Sequence, residues 1–202
     1  MTKVLFPMSN QFNRTASGTD RAKCASSNES HSASNYGIEF GKKVIVDYLY
    51  LDLETCERCV GTDSVLDQVL ATLTPTLSLA GFHVDYHKTE MKTAEIAAQH
   101  RFVSSPTIRV NGQDICPSVA ENSCGCCSDI SGTDVSCRVY EYHDETYEVP
   151  PAEMIAVAFL QAVFGQMKAD STDGEYELPK NLKEFFEGKK RKSGCSCGGS
   201  CS

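Results

Sequence analysis

The residues best suited to chemistry in this sequence are its cysteines, 11 of them among 202 residues. Cys56 and Cys59 form a close pair, and Cys24 stands alone. A middle cluster and a C-terminal cluster hold the others: Cys116, Cys124, Cys126, Cys127 and Cys137, then Cys195, Cys197 and Cys201. An odd number of thiols rules out complete intrachain pairing, and packing alone does not require so many. We therefore expect thiols that are free, catalytic or bound to metal.

The segment Cys56-Glu57-Arg58-Cys59 has the spacing of a reactive dithiol. It is predicted to lie between a buried strand and an amphipathic helix, where the partial positive charge of the helix N-terminus favours a thiolate. A thiolate attacks disulfides, and a second cysteine three positions later can resolve the mixed disulfide. Because two cysteines at this spacing also suit half of a zinc site, the pattern alone leaves both chemistries open.

The middle cluster contains enough thiols for a second site. Four of its five cysteines could give tetrahedral thiolate coordination to zinc or another soft ion. The vicinal pair Cys126-Cys127 and the CGC triplet that begins at Cys124 also suit Hg(II), As(III) or Cu(I), which prefer sulfur ligands. The spacing matches no standard zinc ribbon, so a regulatory disulfide, or a relay that receives electrons from the upstream dithiol, remains an alternative.

The C-terminal cluster lies in GCSCGGSCS, a Gly/Ser-rich end that is expected to be flexible. Its three thiols could close round one soft ion, or the tail could swing to the domain and reduce it. A basic run at 189–192 precedes the cluster and would lower the pKa of nearby thiols, unless it is simply a solvated patch. The tail thiols are therefore candidates for metal binding or for relay.

Alternating strands and helices are expected to position the thiols. The run VIVDYLYLDL is short, apolar and rich in β-branched and aromatic residues, which is typical of a buried strand. Asn111-Gly112 predicts a tight hairpin turn, and Pro75 is expected to kink a helix. In chain order the predicted elements are a strand from Lys43, a helix over 64–77, a strand from Phe82, a short helix over 93–100, a strand after Ser105-Pro106 and a hairpin strand over 113–116.

Beyond the hairpin, residues 117–136 are rich in Ser, Gly, Asp and Cys, which predicts a loop that only crosslinks or metal would fix. Residues 138–149 read as a strand pair, and a helix that opens at Pro150-Pro151 is expected to close the domain near Gly165. The predicted organisation is a flexible Ser/Asn-rich arm at 1–40, a domain at 41–165 with a cysteine-rich insertion at 116–137, and a charged linker with a Cys/Gly/Ser-rich tail at 166–202. A short helix is expected within the linker, around Leu182 to Phe186.

The strand-CxxC-helix unit is followed by the segment V-x-S-P-T-x-x-V-x-G, which starts at Val103. Together these motifs resemble the thioredoxin superfamily, over residues 43–116 and the helix at 151–165. The resemblance is to a cysteine-rich branch rather than to thioredoxin or glutaredoxin themselves. It implies an α/β thioredoxin-like sandwich of order β-α-β-α-β-β-α with a cysteine-rich insertion.

The same resemblance implies roles for individual residues. Cys56 corresponds to the attacking thiol and Cys59 to the resolving thiol. The segment Ser105-Pro106-Thr107 corresponds to the substrate-binding segment, in which Pro106 is a cis-proline that faces the CxxC motif. In that family the backbone of the residue before the proline, here Ser105, pairs with an extended substrate.

Composition and charge exclude several classes of protein. With 41% hydrophobic and 23% charged residues the chain is of the globular type, and 19 basic against 27 acidic residues leave no basic stripe for phosphate binding. The apolar run from Val4 to Met8 is shorter than the roughly 7–15 residues of a signal peptide, and no run approaches the roughly 18–20 residues of a membrane span. We therefore expect a cytoplasmic protein without nucleic-acid or membrane partners.

Three functional hypotheses follow. The leading one is a thiol–disulfide oxidoreductase that needs no cofactor, in which the Cys56/Cys59 dithiol acts on a disulfide-bearing protein or a small thiol substrate and could relay electrons to further cysteines. The second is a thiolate protein that binds, transfers or detoxifies a soft metal ion, whether Zn, Hg, As or Cu. The third is cleavage of a carbon–metal bond by the same thiols, with Glu57 or a nearby Asp as proton donor.

Overall fold

A computed structural model of the protein describes residues 41–116, 120–165 and 175–194. The predicted arm at 1–40 and the C-terminal thiol cluster therefore lie outside the described residues. In chain order the elements are β1 (Lys42–Tyr50), α1 (Glu57–Leu79), β2 (Phe82–Glu90), α2 (Ala94–Gln99), β3 (Thr107–Val110), β4 (Gln113–Asp114), β5 (Ala120–Ser123), α3 (Gly125–Ser131), β6 (Ser136–Tyr142), β7 (Glu145–Tyr147), α4 (Ala152–Phe164) and α5 (Lys180–Gly194).

Four strands form a mixed sheet in the order β2-β1-β3-β4. β1 runs parallel to β2 and antiparallel to β3, and β3 pairs antiparallel with β4. The apolar run of β1 suits its central position, where Val46 and Tyr48 are fully buried. Asn111 and Gly112 both have positive φ angles, 52° and 81°, as the predicted hairpin turn requires. The protein is a mixed α/β fold, the class that the alternating pattern predicts.

The first core packs residues of β1 and β3 with residues of α1 and α4. Its buried members include Val46, Leu66, Ile108 and Phe159. α1 continues past Pro75 to Leu79, so the proline does not end the helix. No helix in the described ranges has the length and hydropathy that a membrane span requires.

The cysteine-rich insertion folds into regular structure, so the predicted loop over 117–136 is wrong where β5 and α3 form. β5 pairs antiparallel with β6, and β6 with β7, which gives a second, three-stranded sheet. The backbone of Val135 holds α3 against β6, because its carbonyl accepts from Cys124 N and its N–H donates to Ser128 Oγ. Gly132 ends α3 with a φ of 71°, a left-handed conformation that suits glycine.

α5 lies in the stretch that the sequence pattern assigns to a charged linker. Its side chains Leu182, Phe185 and Phe186 are buried in a second core with the thiols of the insertion. Asn181 fixes the start of β6, because its side chain accepts from the N–H and donates to the carbonyl of Ser136. The folded unit therefore extends beyond residue 165.

Candidate metal centre

The second core is unusual in its composition, because five of its 14 buried side chains are cysteines. Those five are Cys56, Cys59, Cys124, Cys127 and Cys137. Two come from the start of α1 and three from the insertion. All seven cysteines of the described residues are free thiols. A buried free thiol packs like any small apolar side chain, so packing alone gives no reason to group five of them. Their convergence needs a chemical explanation.

Cys56 is the N-cap residue of α1, with extended backbone, as expected for the position before a helix. The preceding loop is held by Asp52, whose Oδ1 accepts hydrogen bonds from the N–H groups of Glu54, Thr55 and Cys56. Burial opposes ionisation of Asp52, but these hydrogen bonds lower the pKa of its carboxyl group overall. The charged carboxylate therefore fixes where the chain delivers Cys56.

Cys59 lies in the first turn of α1 and is equally buried. Its Sγ lies 3.4 Å from Ser105 Oγ, and its carbonyl accepts a 2.6 Å hydrogen bond from the Tyr48 hydroxyl. Ser105 Oγ also accepts from Leu51 N. Cys59 is thus held between β1 and the segment that precedes β3.

The insertion repeats the arrangement of α1. Cys124 is the N-cap residue of α3 and Cys127 lies three positions later, so α3 also begins with a CxxC spacing. Both sulfurs are buried in the second core. This second C-x-x-C spacing is present in the sequence, but it overlaps the vicinal pair Cys126-Cys127 and the CGC triplet.

Three sulfur atoms, those of Cys56, Cys124 and Cys127, all lie within 4.8 Å of one another. Cys127 Sγ is 3.8 Å from Cys56 Sγ and 3.3 Å from Cys137 Sγ. In a tetrahedral zinc site with Zn–S bonds of about 2.3 Å, neighbouring sulfurs are about 3.8 Å apart. The three cysteines form a buried group that could hold a metal ion, and Cys137 Sγ lies next to the group on the side of Cys127.

The thiols influence one another's ionisation. Hydrogen bonds from Cys124, Cys127 and Cys137 lower the pKa of the Cys56 thiol, and those from Cys127 and Cys137 lower that of Cys124. Interaction with Cys56, and then burial, raises the pKa of Cys59. Hydrogen bonding with Cys124 raises the pKa of Cys127 and of Cys137. Because metal ions bind cysteine as the thiolate, an ion that binds several of these sulfurs must displace protons.

The second sheet covers the proline turn that precedes β3. The Ser105–Pro106 peptide bond is cis. The Ser105 carbonyl accepts a 2.7 Å hydrogen bond from Arg138 N in β6, and the Pro106 carbonyl accepts from the Tyr140 hydroxyl. Thr107, the third residue of the predicted substrate-binding segment, is buried and donates to the Ser104 carbonyl. The backbone that the resemblance assigns to substrate pairing is occupied here by the protein's own β6.

Other candidate residues lie elsewhere. Cys116 is buried in the first core, where burial raises the pKa of its thiol to about 12. Cys126 is half-buried at the margin of the second core. Glu57, considered as a proton donor, is exposed on α1. Cys195, Cys197 and Cys201 lie outside the described residues.

Two positioning features were missed from the sequence. Asp52 could have been found, because an aspartate shortly before a helix commonly accepts backbone hydrogen bonds. The second feature is the contact between α1 and the insertion, which no short sequence pattern predicts. It joins thiols that are distant in sequence, and the hydrogen bonds that hold it use mainly backbone groups of β5 and β6.

Comparison with known proteins identifies a family. A family model described as "Domain of unknown function (DUF2703)" matches residues 44–159. That range runs from β1 into α4 and includes the thiols of α1 together with those of the insertion. No curated protein and no solved structure matches the chain. The chain therefore belongs to the DUF2703 family.

Proposed function

We propose that this protein binds a soft metal ion through the thiolates of Cys56, Cys124 and Cys127. The observation that carries the proposal is the mutual approach of these three buried sulfurs to within 4.8 Å. Thiolate ligands select soft or borderline ions such as Zn²⁺, Cu(I), Hg(II) and As(III). Zn²⁺ would take Cys137 as its fourth ligand, whereas Hg(II), As(III) and Cu(I) can be satisfied by three sulfurs.

Burial favours ion binding over exchange with an external disulfide. Cys56 and Cys59 are both 0% exposed, so a protein disulfide cannot reach either sulfur without displacement of the residues packed round them in the second core. The Ser105 carbonyl, which would pair with an extended substrate, already accepts from Arg138 N. A single ion needs far less access than a peptide, and it is held best where water is excluded.

A titration of serine variants tests the proposal. Wild-type protein and Cys127→Ser are prepared anaerobically and titrated with Zn²⁺ against a chromophoric chelator. Wild type should bind one ion per chain, and Cys127→Ser should lose more than an order of magnitude in affinity, because a sulfur ligand is replaced by a poor one. Cys116→Ser is the matched control, since Cys116 is a buried cysteine of the first core. Equal affinity in wild type and Cys127→Ser would contradict the proposal.

A second function, an internal electron relay, is favoured by the sulfur path from Cys56 to Cys127 and on to Cys137, with steps of 3.8 Å and 3.3 Å. Hydrogen peroxide, which is small enough to enter the buried cluster, would oxidise Cys127 and Cys137 to a disulfide and be reduced to two water molecules. The Cys56 thiolate would attack Cys127 Sγ and expel Cys137 as a thiolate, which takes up a proton. Cys59 would then attack Cys56 Sγ and pass its proton to the departing Cys127 thiolate. The end product is a Cys56–Cys59 disulfide.

Disulfide mapping distinguishes the relay from ion binding. Metal-free protein is treated with one equivalent of hydrogen peroxide and quenched with acid, and its disulfides are identified by peptide mass spectrometry. The relay predicts a Cys56–Cys59 disulfide in wild type and a trapped Cys56–Cys127 disulfide in Cys59→Ser. If Cys56 remains a free thiol in both proteins, the relay is wrong while the ion site stands.

We also propose the finer structural and cellular assignments. The order β2-β1-β3-β4 and the CxxC motif at the start of α1 support a thioredoxin-like fold in which the second sheet is an addition. The buried free thiols suit the reducing environment of the cytoplasm. The cytoplasmic assignment is consistent with a site that must keep its sulfurs reduced in order to bind an ion.

A further inference from the structure

Arg58 is a buried cation between the two cysteines of the first CxxC motif. It is only 6% exposed, although arginine is rarely buried without strong partners. Its Nη1 donates to the carbonyls of Asn122 and Cys137, and its Nη2 donates to the carbonyl of Ser123 at 2.8 Å. Nη2 also forms an ion pair with Glu148, whose side chain is 60% exposed.

These contacts join α1 to the inserted sheet next to the thiols. Ser123 immediately precedes Cys124, and the carbonyl of Cys137 belongs to a cysteine of the cluster itself. Asn122 and Cys137 are cross-strand partners in the pairing of β5 with β6. The guanidinium of Arg58 therefore hydrogen-bonds to both β5, which leads into Cys124, and β6, which contains Cys137. Arg58 itself lies in the helix turn that carries Cys56 and Cys59.

We propose that Arg58 is the positioning residue that sets the inserted thiols against Cys56, which completes the three-sulfur group. This inference rests on the proposed ion binding, because it assigns the geometry of that same site. Arg58 does not touch the ion. It acts through the backbone of Ser123 and Cys137, and so through the placement of Cys124 and of the fourth sulfur.

The chemistry of the contact explains why the residue is an arginine. A guanidinium is planar and has five donors in a fixed fork, which suits several carbonyl oxygens at once. A lysine ammonium is a point charge with three donors and cannot match the same three carbonyls with the same geometry. The exposed Glu148 contributes little to holding Arg58 in place, because an ion pair with a solvated partner is weak.

Cobalt substitution reports on thiolate geometry directly, because the sulfur-to-Co(II) charge-transfer absorption rises with the number of thiolate ligands. Wild-type protein, Arg58→Met and Arg58→Lys are titrated anaerobically with Co(II). In Arg58→Met the absorption per bound Co(II) should fall by about a quarter to a third, with loss of one of four or three thiolates, and affinity should fall about 10–100-fold. Arg58→Lys keeps the charge and some donors, so both quantities should lie between those of the other two proteins.

Arg109→Met is the matched control. Arg109 donates to the carbonyls of His100 and Arg101, so it is also an arginine that binds backbone, but its contacts lie outside the thiol cluster. The control should keep the wild-type absorption even if its melting temperature falls. Wild-type absorption and affinity in Arg58→Met, or an equal loss in Arg109→Met, would overturn the role of Arg58 and leave the ion site standing. A wild-type protein without thiolate-to-cobalt absorption would overturn the ion site and the role of Arg58 together.

Discussion

The two cores of this protein are alike in size but differ in what they bury. Each contains 14 buried residues, yet the first includes one cysteine and the second includes five. The first packs the mixed sheet against α1 and α4 with aliphatic and aromatic side chains, as burial of apolar surface alone would dictate. The second brings together thiols of α1 and of the insertion under the apolar side chains of α5.

The contrast separates cysteine as a packing residue from cysteine as a ligand. Cys116 in the first core is an isolated small apolar side chain whose raised pKa keeps it a neutral thiol. The sulfurs of the second core lie against one another, and their pKa values are set largely by their neighbours. A thiol that packs needs only apolar surroundings, whereas a ligand needs other ligands at a defined distance.

The largest expected effects come from a matched pair of phenylalanines, because Phe159 and Phe185 are both 0% exposed in the first and second core respectively. We expect Phe159→Ala and Phe185→Ala each to lower the free energy of unfolding by about 3–5 kcal/mol in metal-free protein. They should differ in their response to Zn²⁺. Phe159→Ala should keep the wild-type rise in melting temperature, whereas Phe185→Ala, with a cavity beside the thiols, should show a smaller rise in calorimetry. The same rise in both variants would remove the distinction between the cores.

Ion binding should stabilise the protein and slow local opening of the second core. At a free Zn²⁺ concentration 100 times the dissociation constant, linkage predicts a gain of about 2.7 kcal/mol in the free energy of unfolding. Hydrogen exchange should show the increased protection in α3 and β6, whereas amides of α4 that exchange through local fluctuations should be unaffected. A chelator should reverse the change. Increased protection confined to α4 would place the ion elsewhere.

A smaller effect is expected where α5 crosses α3. A Cβ added to Gly188 would lie 2.5 Å from the Ser131 carbonyl oxygen and 3.0 Å from Thr133 Cγ2, so the helices must move apart. Gly188→Ala should cost about 1–3 kcal/mol in the free energy of unfolding and weaken Zn²⁺ binding. Gly194→Ala is the control, because the position is in the same helix with open space around it. Urea titration compares the two variants, and equal stability would show that α5 is not packed closely against the insertion at Gly188.

The elements of the first core were largely predictable because their signals are local. The apolar run of β1, the amphipathic pattern of α1 and the Asn111-Gly112 turn each specify a structure within a few residues. α4 follows Pro150-Pro151, as expected for a helix that starts after proline. These parts of the chain need little help from distant contacts.

The second core was less predictable because distant contacts decide it. The composition of residues 120–136 favours a loop, but hydrogen bonds to Val135 and the packing of α5 hold β5 and α3 in place. The candidate thiols could be selected by type and spacing, and the three functions considered for them remain predictions. Their grouping could not be foreseen, because no local pattern places Cys124 and Cys127 beside Cys56.

Sulfur coordination of the ion is the central claim, and X-ray absorption at the zinc edge tests it most directly. The measurement uses full-length protein prepared anaerobically with one equivalent of Zn²⁺. The account predicts a first shell dominated by three or four sulfur atoms at about 2.3 Å, and a loss of sulfur neighbours in Cys127→Ser but not in Cys116→Ser. A first shell made of nitrogen and oxygen, or a sulfur shell unchanged in Cys127→Ser, would contradict it.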